Sequence, residues 1–158
     1  MFKLSKRSLG SLEGVNEGLV KVVKRAIQLT EMDFVVIEGV RTLERQKELL
    51  ADNKTQTLES KHITGNAVDL LALPTPEGSW KWLDYGPIAL AMGLAAVEFN
   101  IPIRWGAAWN TKDIRILALE GEEGKPHITP TELVNRYVKA KKVGNRKPFI
   151  DAVHFEVN

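Results

Sequence analysis

The sequence predicts one mixed domain in which helices alternate with short strands, and three observations carry that reading. Its 158 residues suit a single domain with one core. Segments with a helical three-to-four-residue apolar step alternate with short β-branched runs. No repeat, low-complexity tract or linker interrupts the chain, so residues 1–158 are read as one unit.

The elements follow in order. Leu12, Val15, Leu19, Val22, Ala26 and Leu29 recur at helical spacing and predict an amphipathic helix over roughly 12–30. "DFVVIEG" (33–39) is a strand by length and composition. "TLERQKELLADN" (42–53) reads as a helix, with Thr42 as N-cap and Glu44 in its first turn. Residues 54–66 have no apolar period and read as a loop. "AVDLLAL" (67–73) is a buried strand ended by "PTPEG". "LDYGPIALAMGLAAVEFN" (83–100) is a mostly buried helix despite its two glycines, and "IPIRW" (101–105) a strand before the turn "GAAWN". Residues 111–128 give no clear pattern. "TPTE" (129–132) is a capping box opening a helix that runs to about Lys142 and stops at Gly144. "FIDAVHFEV" (149–157) closes the chain as a strand.

Alternation alone would suit a parallel sheet. Against it, no Gly-rich phosphate loop follows any strand, and the loops at 54–66 and 106–128 are long for simple βαβ units.

Composition excludes several functions. Hydrophobic residues make up 44% and charged residues 27%, and the net charge is +2, far from the asymmetry of nucleic-acid binders. A mildly basic chain suits an anionic polymer such as a bacterial cell wall. There is no cysteine, which rules out disulfides, thiolate metal sites and cysteine nucleophiles. "MFKLSKRSLGSLEG" lacks the apolar region of a secretory signal. The longest apolar run, "IALAMGLAAVEF", is too short to span a bilayer. The chain is expected to stay in the cytoplasm until something else moves it, with no membrane insertion and no nucleic-acid partner.

The chemistry concentrates in two strands. Asp69 lies inside "AVDLLAL" and His154 inside "AVHFEV". A carboxylate in an apolar strand costs several kcal/mol unless it is paired or bound to a cation. His62 precedes Asp69 by seven positions. Two imidazoles and one carboxylate form the ligand set of catalytic zinc, with a fourth position open. The spacing is not that of a short helical motif such as HExxH, so hydrogen-bonded histidines remain an alternative on chemistry alone. His127, in the polar loop "EGKPHITP", is the rival ligand and reads equally as a solvated side chain.

"SKHITGNAVD" (60–69) resembles the SxHxxGxAxD motif of the D-Ala-D-Ala metallopeptidases, which group with the lysostaphin-type and hedgehog-type zinc folds. Ser60, His62, Gly65, Ala67 and Asp69 match it. "DAVH" resembles the second family motif, with an acid three positions before the last histidine. "EGVRT" (38–42) resembles the segment bearing the family's arginine. "WGAAWN" (105–110) resembles the (F/W)GxxW segment of phage endolysins that cleave L-alanyl-D-glutamate bonds. The resemblance spans residues 30–157.

This resemblance replaces the parallel architecture by an α+β fold, a small antiparallel sheet with helices packed on it, whose long loops wall a cleft. It implies Zn²⁺ held by His62, Asp69 and His154. Asp151 would be the general base and Arg41 would stabilise the oxyanion. Ser60 would orient His62 or touch substrate. Trp105 and Trp109 would be core or a wall for the peptide. Glu156 would back a ligand or, by preference, face solvent. In a regular strand Asp151 and His154 would face opposite sides, so Asp151 must precede the regular strand or sit at a bulge. The implied activity is a zinc-dependent murein peptidase, phage-endolysin-like, cutting the L-Ala–D-Glu bond of the peptidoglycan stem. It would act as a monomer after a separate protein permeabilises the membrane. A D-alanyl-D-alanine carboxypeptidase or dipeptidase and a zinc-stabilised wall-binding module are the alternatives. Asp113, Glu120, Glu122 and Glu123 could hold a second cation, and a solvated loop is the preferred reading.

Overall fold

The structure, a computed structural model, describes residues 1–158. The first helix is not continuous. Helix α1 (Lys6–Ser11) ends in a turn, and α2 (Glu17–Leu29) starts afresh after Asn16. The Asn16 side chain accepts from the backbone N–H groups of Gly18 and Leu19 and so caps α2. Leu12 and Val15 therefore lie in the intervening turn, although both are buried as a helical face would be. Gly14 bends that turn at φ +76°.

Strand β1 (Phe34–Glu38) leads through Thr42, which caps α3 (Leu43–Ala51) by accepting from Arg45 N. Strand β2 (Ala67–Ala72) follows the 54–66 loop. A 3₁₀ turn at Trp82–Tyr85 then runs into α4 (Gly86–Glu98), whose buried residues form a broad face while Leu94 and Val97 stay exposed. Gly93 has a packing reason: a Cβ there would come within 2.7 Å of the Ile114 carbonyl. The 3₁₀ segment Ile114–Ala118 lies against α4.

Strand β3 is only Arg104–Trp105, and β4 only His154–Glu156, both shorter than the runs expected at 101–105 and 149–157. Helix α5 (Pro130–Val143) opens on the full Thr129–Glu132 capping box. The Tyr137 hydroxyl on α5 donates to the Phe149 carbonyl at 3.0 Å and accepts from the Phe149 N–H at 3.3 Å. That clasp holds the run to β4 as an extended tether rather than a strand.

The sheet order is β1-β2-β4-β3, and every pairing is antiparallel. The fold is α+β, as the resemblance implied. Val68, Leu70, Trp105 and Phe155 are fully buried on the face toward the helices. Trp105 pairs in register with Phe155 and stacks on it at 6.1 Å between ring centroids. Asp69, His154, Glu156 and Arg104 share the opposite face by register. No helix is long and apolar enough to cross a membrane.

Candidate active site

A bulge in β1 begins the site. Val36 pairs with Leu70, but Glu38 pairs with Asp69, so β1 spends two residues where β2 spends one. In a regular strand of the same length Glu38 would follow Phe34 and Val36 onto the core face. The bulge turns it to the Asp69 side instead. There its two carboxylate oxygens take Nε and Nη2 of Arg41 at 2.7 and 2.5 Å, a two-point fork. Arg41 Nη1 donates to Gln46 Oε1 at 2.7 Å and lies 3.5 Å from Ser60 Oγ. Arg41 Nη2 also lies 3.5 Å from Asp69 Oδ2. Every nitrogen of the guanidinium thus faces a protein acceptor. A direct hydrogen bond to substrate requires exchange of one of the two long contacts. Burial lowers the Arg41 pKa, but Glu38 more than offsets this and raises it, so the charge is permanent.

His62, Asp69 and His154 converge, with their ligand atoms all within 4.8 Å of one another. His62 sits in a turn and its ring Nδ1 lies 2.8 Å from the Gly39 carbonyl. A carbonyl only accepts, so Nδ1 carries the proton and Nε2 presents a lone pair. That lone pair faces Asp69 Oδ1 at 3.0 Å. His154 Nε2 lies 2.8 Å from Glu156 Oε2 and must donate to it, which leaves Nδ1 3.3 Å from the same Asp69 oxygen. With both rings neutral, three acceptors would crowd one point. Extra protons on the rings can relieve this, and so can one cation. Ligands about 2.0–2.1 Å from a tetrahedral zinc stand roughly 3.3 Å apart, close to both observed separations. The donor set fits a divalent metal, and the outward hydrogen bonds of both rings are those that orient metal-bound histidines.

Electrostatics follow the same arrangement. Burial drives the Asp69 carboxyl upward, but hydrogen bonds from His154 and His62 outweigh it and hold the group well below the usual carboxylate range. Burial lowers His154, yet Asp69 and Glu156 push it up to about 9. Asp151 is raised, mainly by burial and then by the charge of Asp69, against the pull of His154, His62 and Arg41.

Asp151 precedes the regular strand. Its carbonyl accepts from His154 N at 3.1 Å, closing a turn before β4. Its N–H donates to Gly106 O at 2.9 Å, and Gly106 N donates to His154 O at 2.8 Å. A Cβ on Gly106 would fall 2.3 Å from the Asp151 carbonyl, so only glycine permits this approach. Asp151, Arg41, Ser60 and the three candidate ligands all line one cleft of about 680 Å³.

The two tryptophans divide. Trp105 has no exposed surface and does not line the cleft. It is core, contrary to a substrate-wall role, and its indole N–H donates to the Ala152 carbonyl at 2.8 Å beneath the Asp151 turn. Trp109 does line the cleft, stacks on Phe149, and lies 5.4 Å from the His154 ring. His127 is exposed and outside the cluster. Glu156 is not solvent-facing. It is 8% exposed and bonded to His154, because the cleft walls cover the outer face of β4. Glu38 and Gln46 were not singled out from sequence. The three-residue spacing of Glu38 and Arg41 was the available signal.

Comparison with known proteins gives the family. A family model described as phage L-alanyl-D-glutamate peptidase matches residues 1–127. The chain belongs to that family. It is 35% identical over 114 residues to the L-alanyl-D-glutamate peptidase of Escherichia phage T5, a match covering 69% of this chain and 82% of that protein. A crystal structure of the Serratia marcescens L-Ala D-Glu endopeptidase ChiX superposes with a TM-score of 0.68 at 30% identity, over 99% of this chain and 90% of that one. Membership makes the chain a peptidase, with the cleft as its candidate active site. The family match stops before Asp151 and His154, whereas the structural match extends over β4.

Proposed function

We propose that this chain is a zinc-dependent endolysin that hydrolyses the L-Ala–D-Glu bond of the peptidoglycan stem. The observation that carries the metal is the meeting of His62 Nε2, His154 Nδ1 and Asp69 Oδ1 within 4.8 Å of one another, with both rings oriented from behind by Gly39 and Glu156. The names of the relatives support the bond. Zn²⁺ held by those three residues would supply Lewis acidity toward the scissile carbonyl and make water acidic near neutral pH.

The protein supplies the rest. Asp151 stands in the cleft with a raised carboxyl pKa, which suits a general base: it takes a proton from the attacking water and returns it to the leaving amine. Arg41 is a fixed positive charge beside Asp69 that stabilises negative charge growing on the carbonyl oxygen. Ser60 Oγ accepts from the His62 N–H at 3.2 Å and so shapes the turn carrying that ligand. Trp109 walls the cleft. The enzyme acts as a monomer on murein, reaching it from the host cytoplasm once a separate protein has permeabilised the membrane.

Digestion of purified sacculi followed by mass spectrometry of the products tests this reading. Stem peptides beginning at D-Glu, with L-Ala left on the muramyl lactyl group, are expected. Free D-alanine as the only product would overturn the endopeptidase assignment in favour of a carboxypeptidase.

A further inference from the structure

Trp80 is 70% exposed, the most exposed large apolar side chain after Met1 and Val143. Its backbone is nonetheless tightly held. Ser79 N donates to Ala72 O at 2.9 Å, Ser79 O accepts the Tyr85 hydroxyl at 2.7 Å, and Ser79 Oγ accepts from Lys81 N at 3.2 Å. An indole offered to water from a fixed support marks a binding surface rather than a loose loop tip.

Its position says for what. Trp80 lines the cleft that holds Asp151 and also a second, mainly apolar groove of about 360 Å³. Trp82, Leu83, Ile150 and Ala152 wall that groove, and the last two flank Asp151 in the chain. Leu83 is 62% exposed. The groove thus continues the cleft past the Asp151 turn. By contrast the cleft itself is lined by Thr55, Gln56, Thr57, Lys54 and Lys61, a surface suited to the acidic stem peptide.

In a murein stem the L-Ala–D-Glu bond lies one residue and one lactyl ether away from a sugar. At about 3.5 Å per residue the pyranose stands roughly 7–10 Å from the reacting carbonyl, so it must rest on the rim of the cleft. A pyranose presents an apolar C–H face that packs on an indole, and hydroxyls that a lysine ammonium such as Lys81 can meet. Resting on the endopeptidase reading above, we propose that Trp80, Trp82 and Leu83 form a saccharide subsite for the muramyl sugar of the glycan strand.

The metal-loaded protein is tested on two substrates of identical peptide sequence, a disaccharide-bearing muropeptide and the free stem peptide. Wild type should prefer the muropeptide by about tenfold or more in kcat/KM, the scale for burying one anchoring tryptophan. Trp80→Ala should remove that preference by lowering muropeptide turnover alone, and Trp80→Tyr should restore most of it. Equal loss on both substrates, or no loss on either, overturns the subsite while the endopeptidase reading stands. No cleavage of either by wild type overturns both. Co-sedimentation of wild type, but not Trp80→Ala, with phosphatidylethanolamine–phosphatidylglycerol vesicles would reassign the patch to a lipid surface if substrate preference is unchanged. A dimer lost in the variant, again with unchanged preference, would reassign it to a second copy of the chain.

Discussion

The two faces of the sheet come from the same strands and are buried to nearly the same extent. Val68, Leu70 and Phe155 have no exposed surface on one face, and Asp69, His154 and Glu156 are 9%, 7% and 8% exposed on the other. What differs is how the burial is satisfied. The helix-side face shares one apolar core with α2 and α4, and apolar burial is non-directional and scales with area. The cleft face is closed by directed pairs: Glu38 with Arg41, Glu156 with His154, and both histidines with Asp69. Removing one member of such a set strands a buried charge. The first face should therefore set stability and the second activity, and substitutions can be ordered by how sharply they separate the two.

The largest effect is expected from His62→Ala and His154→Ala, each abolishing turnover and metal binding, whereas His127→Ala keeps both. Metal analysis of the purified variants decides this, and full zinc occupancy in both of the first two would end the ligand assignment. On the other face Trp105→Ala should cost about 3–5 kcal/mol of stability, measured by denaturant unfolding, while the folded fraction still binds metal. Loss of metal without loss of stability would blur the distinction between the faces.

Asp151→Asn should keep the metal and lower the rate roughly a hundredfold or more. A second readout checks its sign. The folded-state pKa of Asp151 is raised, so folding of the metal-free protein is favoured by its proton below the ordinary carboxylate value. That contribution is lost as pH rises through the folded value. At neutral pH the ionised group burdens the metal-free fold, and Asp151→Asn should raise its Tm. The smallest effect belongs to Glu156→Gln, about ten- to a hundredfold in metal affinity or activity, the range for a group that orients a metal-bound histidine. Competition against a chelator measures it.

The sequence carried the helix-side face more openly than the cleft. The alternation of Val68, Leu70 and Ala72 was legible, and so was α5, because Thr129 and Glu132 act within one turn of chain. The start of α2 was misplaced because Leu12 and Val15 keep the apolar spacing through a turn, and burial rather than helix is what that spacing records. Residues 111–128 fold as 3₁₀ segments at 114–118 and 122–124, too short to show a period. In the site, His62, Asp69 and His154 stood out because polar groups in apolar strands require a reason. Glu156 looked solvent-facing because strand alternation tells which face a residue takes and not whether loops cover it. Trp105 and Trp109 could not be separated by composition; pairing with Phe155 is what puts the first inside.

The bulge in β1 makes the irregularity of that strand matter in its own right. Deleting Ile37 would remove the bulge, place Glu38 directly after Val36, and by alternation still leave it on the Asp69 side. Straightening the strand at constant length is the harmful change. It would send Glu38 toward the helices, and Arg41 would lose both prongs of its fork. The strand works as a ruler with one uneven mark, and that mark sets on which side the arginine is gripped.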